Sequence, residues 1–310
     1  MPLGRTGLDV TQFGLGTAAL GLMYEPVADE AALATVQRAY DLDVRFFDTS
    51  PLYGAGLAET RAGVVLRELP RDSFVLSDKL GHVIVDGVVE GRDYSYDGTL
   101  RLFEQSLARS GLDRIDIELI HDPEDYMEAA IDGAYRALRE LRNQGVVRAI
   151  GAGMNFSDKL TWLAHHGEFD CFLLAGRYTL LDQSALDDLL PEAVRQGIAI
   201  YIGGPFNSGI LANPYAATAT FNYAPADQAW VKKARKIDAV CQEHEVPLKA
   251  AALQFPLGHS AVVSVLSGAR SIGELEENLA MFRHPIPAAL WDDLRSAGLL
   301  DERAPTPIDS

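Results

Sequence analysis

Short apolar runs alternate along this chain with longer stretches whose apolar positions recur at helical spacing. Residues 3–13 alternate loosely around Gly7, which suits a short hairpin, and 13–17 form a first strand ending in Gly14-Leu15-Gly16-Thr17. Asp29-Glu30 opens a helix to about residue 42, with Ala32, Leu33, Val36 and Tyr40 on its apolar face. Residues 43–47 predict a second strand, 58–69 a helix stopped at Pro70, and 73–78 a third strand. The segment 80–97, with Gly81, Gly87 and Gly91, reads as a long irregular loop whose length suits a working role beside a site.

The alternation continues with a helix over 99–110 closed by Gly111, a strand over 115–120, and a long helix over 126–144 ending at Gly145. A strand follows at 146–152, a helix opening at Ser157, a strand at 171–174 and a helix at 183–196 ending at Gly197. The last units are a strand at 198–202, helical stretches at 228–244 and 249–257, a strand at 261–266 and a helix at 271–282. One more helix at 287–297 precedes a Pro-rich tail. Strands alternating with helices imply parallel βαβ units, and eight of them without a linker or a break in composition predict a (β/α)8 barrel forming a single domain over 1–310.

Composition narrows the function classes. The chain has 310 residues, 48% hydrophobic and 23% charged, with a formal net charge of -17. Nucleic acid and anionic membrane partners call for clustered Lys and Arg, so neither is expected; a small-molecule partner and a cytoplasmic location are. The N-terminus has no apolar signal region, and no apolar run approaches a membrane span. Cys171 and Cys241 are far apart and read as reduced thiols. Oligomeric state has no signature in the sequence.

Three predicted strands stop at residues with chemistry. The second reaches Asp48 and a Pro51 turn with Tyr53 on its far side, the third reaches Lys79, and the fourth reaches His121. Side by side in one barrel, these four converge at the C-terminal rim, where barrel active sites lie. A tyrosine works as acid or base at neutral pH when its pKa is lowered, and a neighbouring Lys79 ammonium would do that. Asp48 would hold Lys79 charged and in place, and His121 would donate to a carbonyl oxygen. That set suits hydride transfer, with the hydride carried by a nicotinamide.

Each residue alone has an ordinary reading as a turn residue, rim aromatic or solvated charge; their joint placement favours the chemical one. A rival dinucleotide pattern, Gly14-Leu15-Gly16-Thr17-Ala18-Ala19, needs a helix opening on its glycines, whereas the next helix starts only near Asp29. A barrel hydrolase would pair Asp48 with Asp122 but leave Lys79 and Tyr53 unexplained. The remaining histidines have no spacing that predicts a metal site, so no metal is expected.

Several stretches resemble the aldo-keto reductase family along nearly the whole chain: residues 14–17, Phe47-Asp48-Thr49-Ser50-Pro51-Leu52-Tyr53-Gly54, Lys79, Gly111-Leu112-Asp113-Arg114-Ile115-Asp116, His121-Asp122-Pro123, residues 204–211, and Gly268-Ala269-Arg270-Ser271 with Glu277-Asn278. The resemblance implies a (β/α)8 barrel binding NAD or NADP, with Tyr53 as acid/base, Lys79 and Asp48 tuning it, and His121 orienting substrate. It implies cofactor contacts at Gly16, Thr17, Asp48, Asn155, Gly204, Phe206, Ser208, Gly209, Leu211, Ser267, Gly268, Arg270, Glu274, Glu277 and Asn278. Residues 93–98, 121–124 and 175–182 are similar to the aldose 1-dehydrogenase branch, which includes L-fucose, D-threo-aldose and L-galactose dehydrogenases and pyridoxal 4-dehydrogenase. That branch oxidises cyclic hemiacetals to lactones, so an aldose such as L-fucose, L-galactose or D-arabinose, or pyridoxal, is the implied substrate, with Tyr24, Tyr53, His121 and Phe206 as candidate contacts.

The chain departs from the wider family where the nicotinamide amide is held. Met154-Asn155 stands for Ser-Asn, Ala175 for Gln, and Gly203 for the stacking Tyr. Gly268 and Glu274 stand where NADP-dependent members place cations; a carboxylate repels a 2'-phosphate and accepts from a ribose hydroxyl, so NAD is the expected cofactor. Two alternatives stay open: an NADPH-dependent aldehyde or ketone reductase, and a nicotinamide-binding regulatory subunit.

Overall fold

The computed structural model describes residues 1–23 and 25–307. In chain order the strands are β1 (Phe13–Gly16), β2 (Phe46–Asp48), β3 (Val75–Leu80), β4 (His82–Val85), β5 (Val88–Arg92), β6 (Ile117–His121), β7 (Ala149–Met154), β8 (Cys171–Ala175), β9 (Ala199–Gly203), β10 (Thr220–Phe221), β11 (Ala224–Pro225) and β12 (Val262–Gly268). The helices are α1 (Asp29–Asp41), α2 (Leu57–Leu66), α3 (Tyr96–Ser110), α4 (Met127–Ala129), α5 (Arg136–Asn143), α6 (Ser157–His166), α7 (Leu189–Gln196), α8 (Gln228–Glu243), α9 (Leu248–Gln254), α10 (Ile272–Phe282) and α11 (Ala288–Ser296). Eight strands close a parallel barrel in the order β1-β12-β9-β8-β7-β6-β3-β2, with the helices around it. The predicted (β/α)8 architecture is therefore present.

Two apolar layers hold it. Inside the barrel, Phe46, Val75, Ile117, Leu119, Leu173, Tyr201 and Leu266 pack together with Cys171. The N-terminal segment, bridged antiparallel between Pro2 and Asp9, adds Leu3, Leu8 and Val10 to this cluster, so the hairpin read in residues 3–13 supplies side chains to the barrel interior. The larger layer lies between strands and helices. Both cysteines are buried and free. Among the described residues no helix is long and apolar enough to cross a membrane.

The segment 80–97 differs from its prediction. It is an antiparallel ribbon, β4 with β5, turned at Asp86-Gly87, both of which have positive φ (49° and 75°). That is the conformation a two-residue hairpin turn with the strand twist requires, and Asp-Gly supplies it. Gly81 (φ 124°) precedes the ribbon; a Cβ there would meet the Tyr94 ring at 2.4 Å. A second ribbon, β10 with β11, was not predicted. The helix expected over 126–144 is interrupted by a π-helical stretch at Ala130–Tyr135, where Gly133 packs so close that a Cβ would lie 2.2 Å from the Tyr94 carbonyl oxygen.

Charged residues sit on the outer face of β3 and β6, where helices cover them. Asp78 and Glu118 are register neighbours, and Glu59 of α2 joins them; all three are fully buried. Arg109 of α3 is the cation beside them, donating to Glu59 Oε2 at 2.6 Å and Oε1 at 3.1 Å. Glu118 accepts no hydrogen bond from any described residue. Burial first, then the Glu59 charge, push the Asp78 and Glu118 carboxyls well up, so they stay protonated where the unfolded chain ionises. The folded state then holds more protons, and stability falls as pH rises above the ordinary carboxylate range. One such proton is worth about 1.4 kcal/mol per pH unit. Glu118→Gln is therefore expected to raise the melting temperature, by more at pH 8 than at pH 5; an unchanged or lower Tm at pH 8 in a pH series would contradict this.

Candidate active site

The β2, β3 and β6 strands deliver the candidate tetrad. Asp48 ends β2, Lys79 lies within β3, and His121 ends β6, each strand finishing one to two residues later than predicted. Lys79 Nζ donates to Asp48 Oδ1 at 2.5 Å and to the Thr49 carbonyl at 2.7 Å. Its side chain is 1% exposed. Burial alone would lower the Lys79 pKa; the Asp48 carboxylate and Tyr53 outweigh it, and the ammonium is held above its ordinary value. Asp48 thus keeps Lys79 charged and fixed.

Tyr53 sits in the turn after β2, its N–H donating to the Ser50 carbonyl at 3.0 Å. Gly21 of the 3-10 turn at Ala18–Gly21 packs on its backbone; a Cβ there would come within 2.6 Å. Lys79 Nζ lies 4.8 Å from the Tyr53 ring centroid. The ammonium pulls the phenol pKa down, as expected. Burial is the larger effect and Asp48 adds to it, so the net shift is upward. The expected lowering does not appear in the chain alone, because burial outweighs the pull of Lys79.

His121 faces Tyr53 edge-on, with ring centroids 6.1 Å apart at 88°. Its Nδ1 lies 3.0 Å from Ser50 Oγ, which also accepts from the Leu52 N–H at 3.1 Å. With that N–H already donating to it, the Ser50 hydroxyl proton is available to Nδ1. Donation of the Ser50 hydroxyl proton to Nδ1, its one acceptor among the described residues, would place the imidazole's own proton on Nε2. Burial first, then Lys79, His82 and Arg92, hold the His121 pKa well below its ordinary value, so the ring is neutral at pH 7. His82 of β4 stacks edge-on against it at 4.9 Å, its own pKa lowered to about 4.

The four residues line one cleft of about 1060 Å³. Of the expected cofactor residues, Gly16, Asp48, Asn155, Gly204, Phe206, Ser208, Gly209, Gly268, Arg270 and Glu274 line it too, as do Met154, Ala175 and Gly203 at the departure positions. Others support it from behind. Thr17 turns its hydroxyl to the Asp48 carbonyl at 3.0 Å, and Leu211 is fully buried. Asn278 donates to Ser267 Oγ and to the Gly268 carbonyl, each at 3.1 Å. Glu277 pairs with Lys249 at 2.8 Å and does not line the cleft. Tyr24 lies outside the described residues.

A profile of the Aldo/keto reductase family matches residues 12–298. The chain belongs to the aldo/keto reductase family. It is 39% identical to a pyridoxal 4-dehydrogenase of Microbacterium luteolum, over 96% of this chain and 97% of that protein. It is 36% identical to a D-threo-aldose 1-dehydrogenase of Pseudomonas sp., over 97% of each. In fold it is similar to a holo-form aldo-keto reductase of Bacillus halodurans, with TM-score 0.80 and 22% identity over 96% of this chain and 95% of that one.

In this aldo/keto reductase the cleft walls fit a nicotinamide dinucleotide. Gly16, Gly203, Gly204 and Gly268 leave bare backbone along it. At Gly203 a Cβ would approach Leu173 Cδ2 to 3.0 Å, and Gly204 has φ 58°, so side chains there would narrow the cradle or strain its backbone. Arg270 is committed to two carboxylates: its backbone N–H and Nε donate to Glu274 at 2.9 and 3.0 Å, Nη2 reaches Glu274 at 2.5 Å, and Nη1 reaches Glu25 at 2.5 Å.

Asp122 and Asn222 line the cleft and were not among the sequence-predicted site residues, whereas Tyr223, one of the aromatic residues the sequence offers as pocket lining, does line it. Asp122 follows His121 with φ 46° and lines the cleft beside Glu124. Burial and then Glu124 push its pKa up to about 6, so it is ionised at neutral pH. Asn222 and Tyr223 turn the β10–β11 ribbon with φ 52° and 60° and also line the cleft. Arg177 Nη1 donates to Asn222 Oδ1 at 2.9 Å, and the Tyr223 N–H to Ser208 Oγ at 3.0 Å.

Proposed function

We propose that this aldo/keto reductase is an NAD(P)-dependent dehydrogenase that oxidises a cyclic hemiacetal, an aldose or pyridoxal, to its lactone. The observation that carries the reading is the end-to-end likeness to a pyridoxal 4-dehydrogenase and a D-threo-aldose 1-dehydrogenase. Its chemistry draws on the residues of the cleft. Tyr53 is the base that takes the proton of the anomeric hydroxyl. His121, neutral, donates from Nε2 to the same oxygen and fixes which hydroxyl meets the phenol. Lys79, anchored by Asp48, stabilises the phenolate that a base must be. A bound nicotinamide dinucleotide would supply the acceptor for the hydride that leaves the anomeric carbon. We place this activity in the cytoplasm, in keeping with the net charge of -17.

The raised Tyr53 pKa favours a second reading, reduction of an aldehyde or ketone, because a phenol protonated at neutral pH is the acid which that direction needs. Reduced nicotinamide formed from NAD with L-fucose, L-galactose, D-arabinose or pyridoxal supports oxidation. Oxidation of NADPH by simple aldehydes, with no turnover of that panel, supports reduction.

Arg270 is held between Glu274 and Glu25, two carboxylates that repel a 2'-phosphate, whereas Glu274 suits a ribose hydroxyl. kcat/KM is therefore expected to favour NAD over NADP by about tenfold or more, a difference of about 1.4 kcal/mol. Glu274→Arg is expected to reverse the ratio; NADP preferred by the parent chain and an unchanged ratio in the variant would contradict it.

A further inference from the structure

We propose that Asp122 selects substrates carrying a hydroxyl on the carbon next to the reacting carbon, by accepting a hydrogen bond from that hydroxyl. This rests on the hydride-transfer reading of the cleft, though not on its direction. Asp122 is presented rigidly. Its N–H donates to the Gly153 carbonyl at 3.0 Å, and its own carbonyl accepts from Tyr94 Oη at 3.0 Å and from Arg92 Nη1. Its left-handed backbone costs energy for a residue other than glycine, and such strain persists only where the surroundings enforce it.

So held, the carboxylate lines the cleft, and among the described residues nothing donates a hydrogen bond to it. That carboxylate, 29% exposed and without a donor among the described residues, is open to accept from a hydroxyl of the ligand. Its Oδ2 stands 3.6 Å from His121 Nε2. If Nε2–H marks the reacting oxygen, an acceptor at that spacing addresses an oxygen on the neighbouring carbon. One donor and one acceptor side by side then match a vicinal oxygen pair: O1 and the 2-hydroxyl of an aldose.

The test compares substrates that differ only at that carbon. D-arabinose with 2-deoxy-D-ribose, and L-fucose with 2-deoxy-L-fucose, are assayed with NAD on the parent chain and on Asp122→Asn. The parent is expected to prefer the 2-hydroxy sugar by about 10–100-fold in kcat/KM, as for a hydrogen bond to a charged group. Asp122→Asn is expected to abolish that preference, lowering kcat/KM for the 2-hydroxy sugar about tenfold or more and changing the 2-deoxy sugar by less than about threefold. No preference in the parent, or an equal loss on both sugars in the variant, overturns the proposal. If neither the sugars nor pyridoxal are oxidised but aldehydes are reduced, the oxidation reading falls. Asp122 is then judged on lactaldehyde against propanal by the same criteria. Turnover of neither class overturns both.

Discussion

Tyr53→Phe is expected to lower kcat by about 10²–10⁴-fold, the range that one positioned acid or base supplies. The change removes one oxygen and leaves the ring against Lys79 and His121, so nucleotide binding, followed by fluorescence titration, is expected to hold within about threefold. The pH profile carries the same signature. Burial, then Asp48, hold the phenol above its ordinary value against the pull of Lys79, so the base form is the minor one at neutral pH. Oxidation should therefore quicken as pH rises from about 6 to 9 without a plateau, since the ordinary tyrosine value is already about 10. His121 does not titrate in this window, because it is held neutral well below it. A plateau near pH 7, or a phenylalanine variant that keeps most of its kcat, would remove Tyr53 from the role of base.

Lys79→Met is expected to abolish activity and to cost about 3–5 kcal/mol of stability, the range for removing one partner of a buried ion pair. The variant leaves Asp48, itself 2% exposed, without its cation, and Asp48 Oδ2 already has no partner among the described residues. The Lys79 pKa is raised in the folded chain, so its stabilising contribution is complete below the ordinary lysine value and is lost only as pH rises through the folded one. In the variant Asp48 loses the cation that offsets its burial, its carboxyl is pushed further up, and the loss should grow as pH rises from 6 to 9. Asp48→Asn combined with Lys79→Met removes both charges and is expected to recover much of the stability but none of the activity. Chemical denaturation of the single and double variants decides it: additive losses would mean that the two side chains do not act as a pair.

The sequence displayed the barrel because its information is periodic. Apolar strands alternate with amphipathic helices, and in a parallel barrel each strand end is forced to the same rim, so Asp48, Lys79 and His121 converge once the strands are recognised. Strand ends were misplaced because they are fixed by contacts outside the strand: Asp116 Oδ2 accepts from the Leu76 N–H at 2.9 Å and from Arg71 at 2.6 Å, which sets where β3 and β6 begin to pair. The β4–β5 ribbon had a readable Asp86-Gly87 turn between valine-rich runs, and glycine content obscured it. The β10–β11 ribbon was not readable, since strands of two residues have no period.

Electrostatic consequences were the least legible. Lys79 pulls the Tyr53 pKa down as its charge implies, yet the outcome depends on desolvation and on how closely Asp48 approaches, and neither is written in residue types. In the same way residue type does not show that Asp78 and Glu118 are buried, which follows only from the helices that cover β3 and β6. Asp122 was visible in the sequence beside His121, but its bare carboxylate became apparent only with the backbone turn that aims it into the cleft.

The measurement that bears most directly on the proposed reaction is product identification. The chain is incubated with NAD and an aldose labelled with ¹³C at the anomeric carbon, and the labelled carbon is followed by NMR while reduced nicotinamide is monitored optically. The expected result is a lactone carbonyl appearing in step with one equivalent of NADH, and absent with Tyr53→Phe. An unchanged anomeric signal across the aldose panel and pyridoxal, together with NADPH-dependent conversion of aldehydes to alcohols, would contradict it.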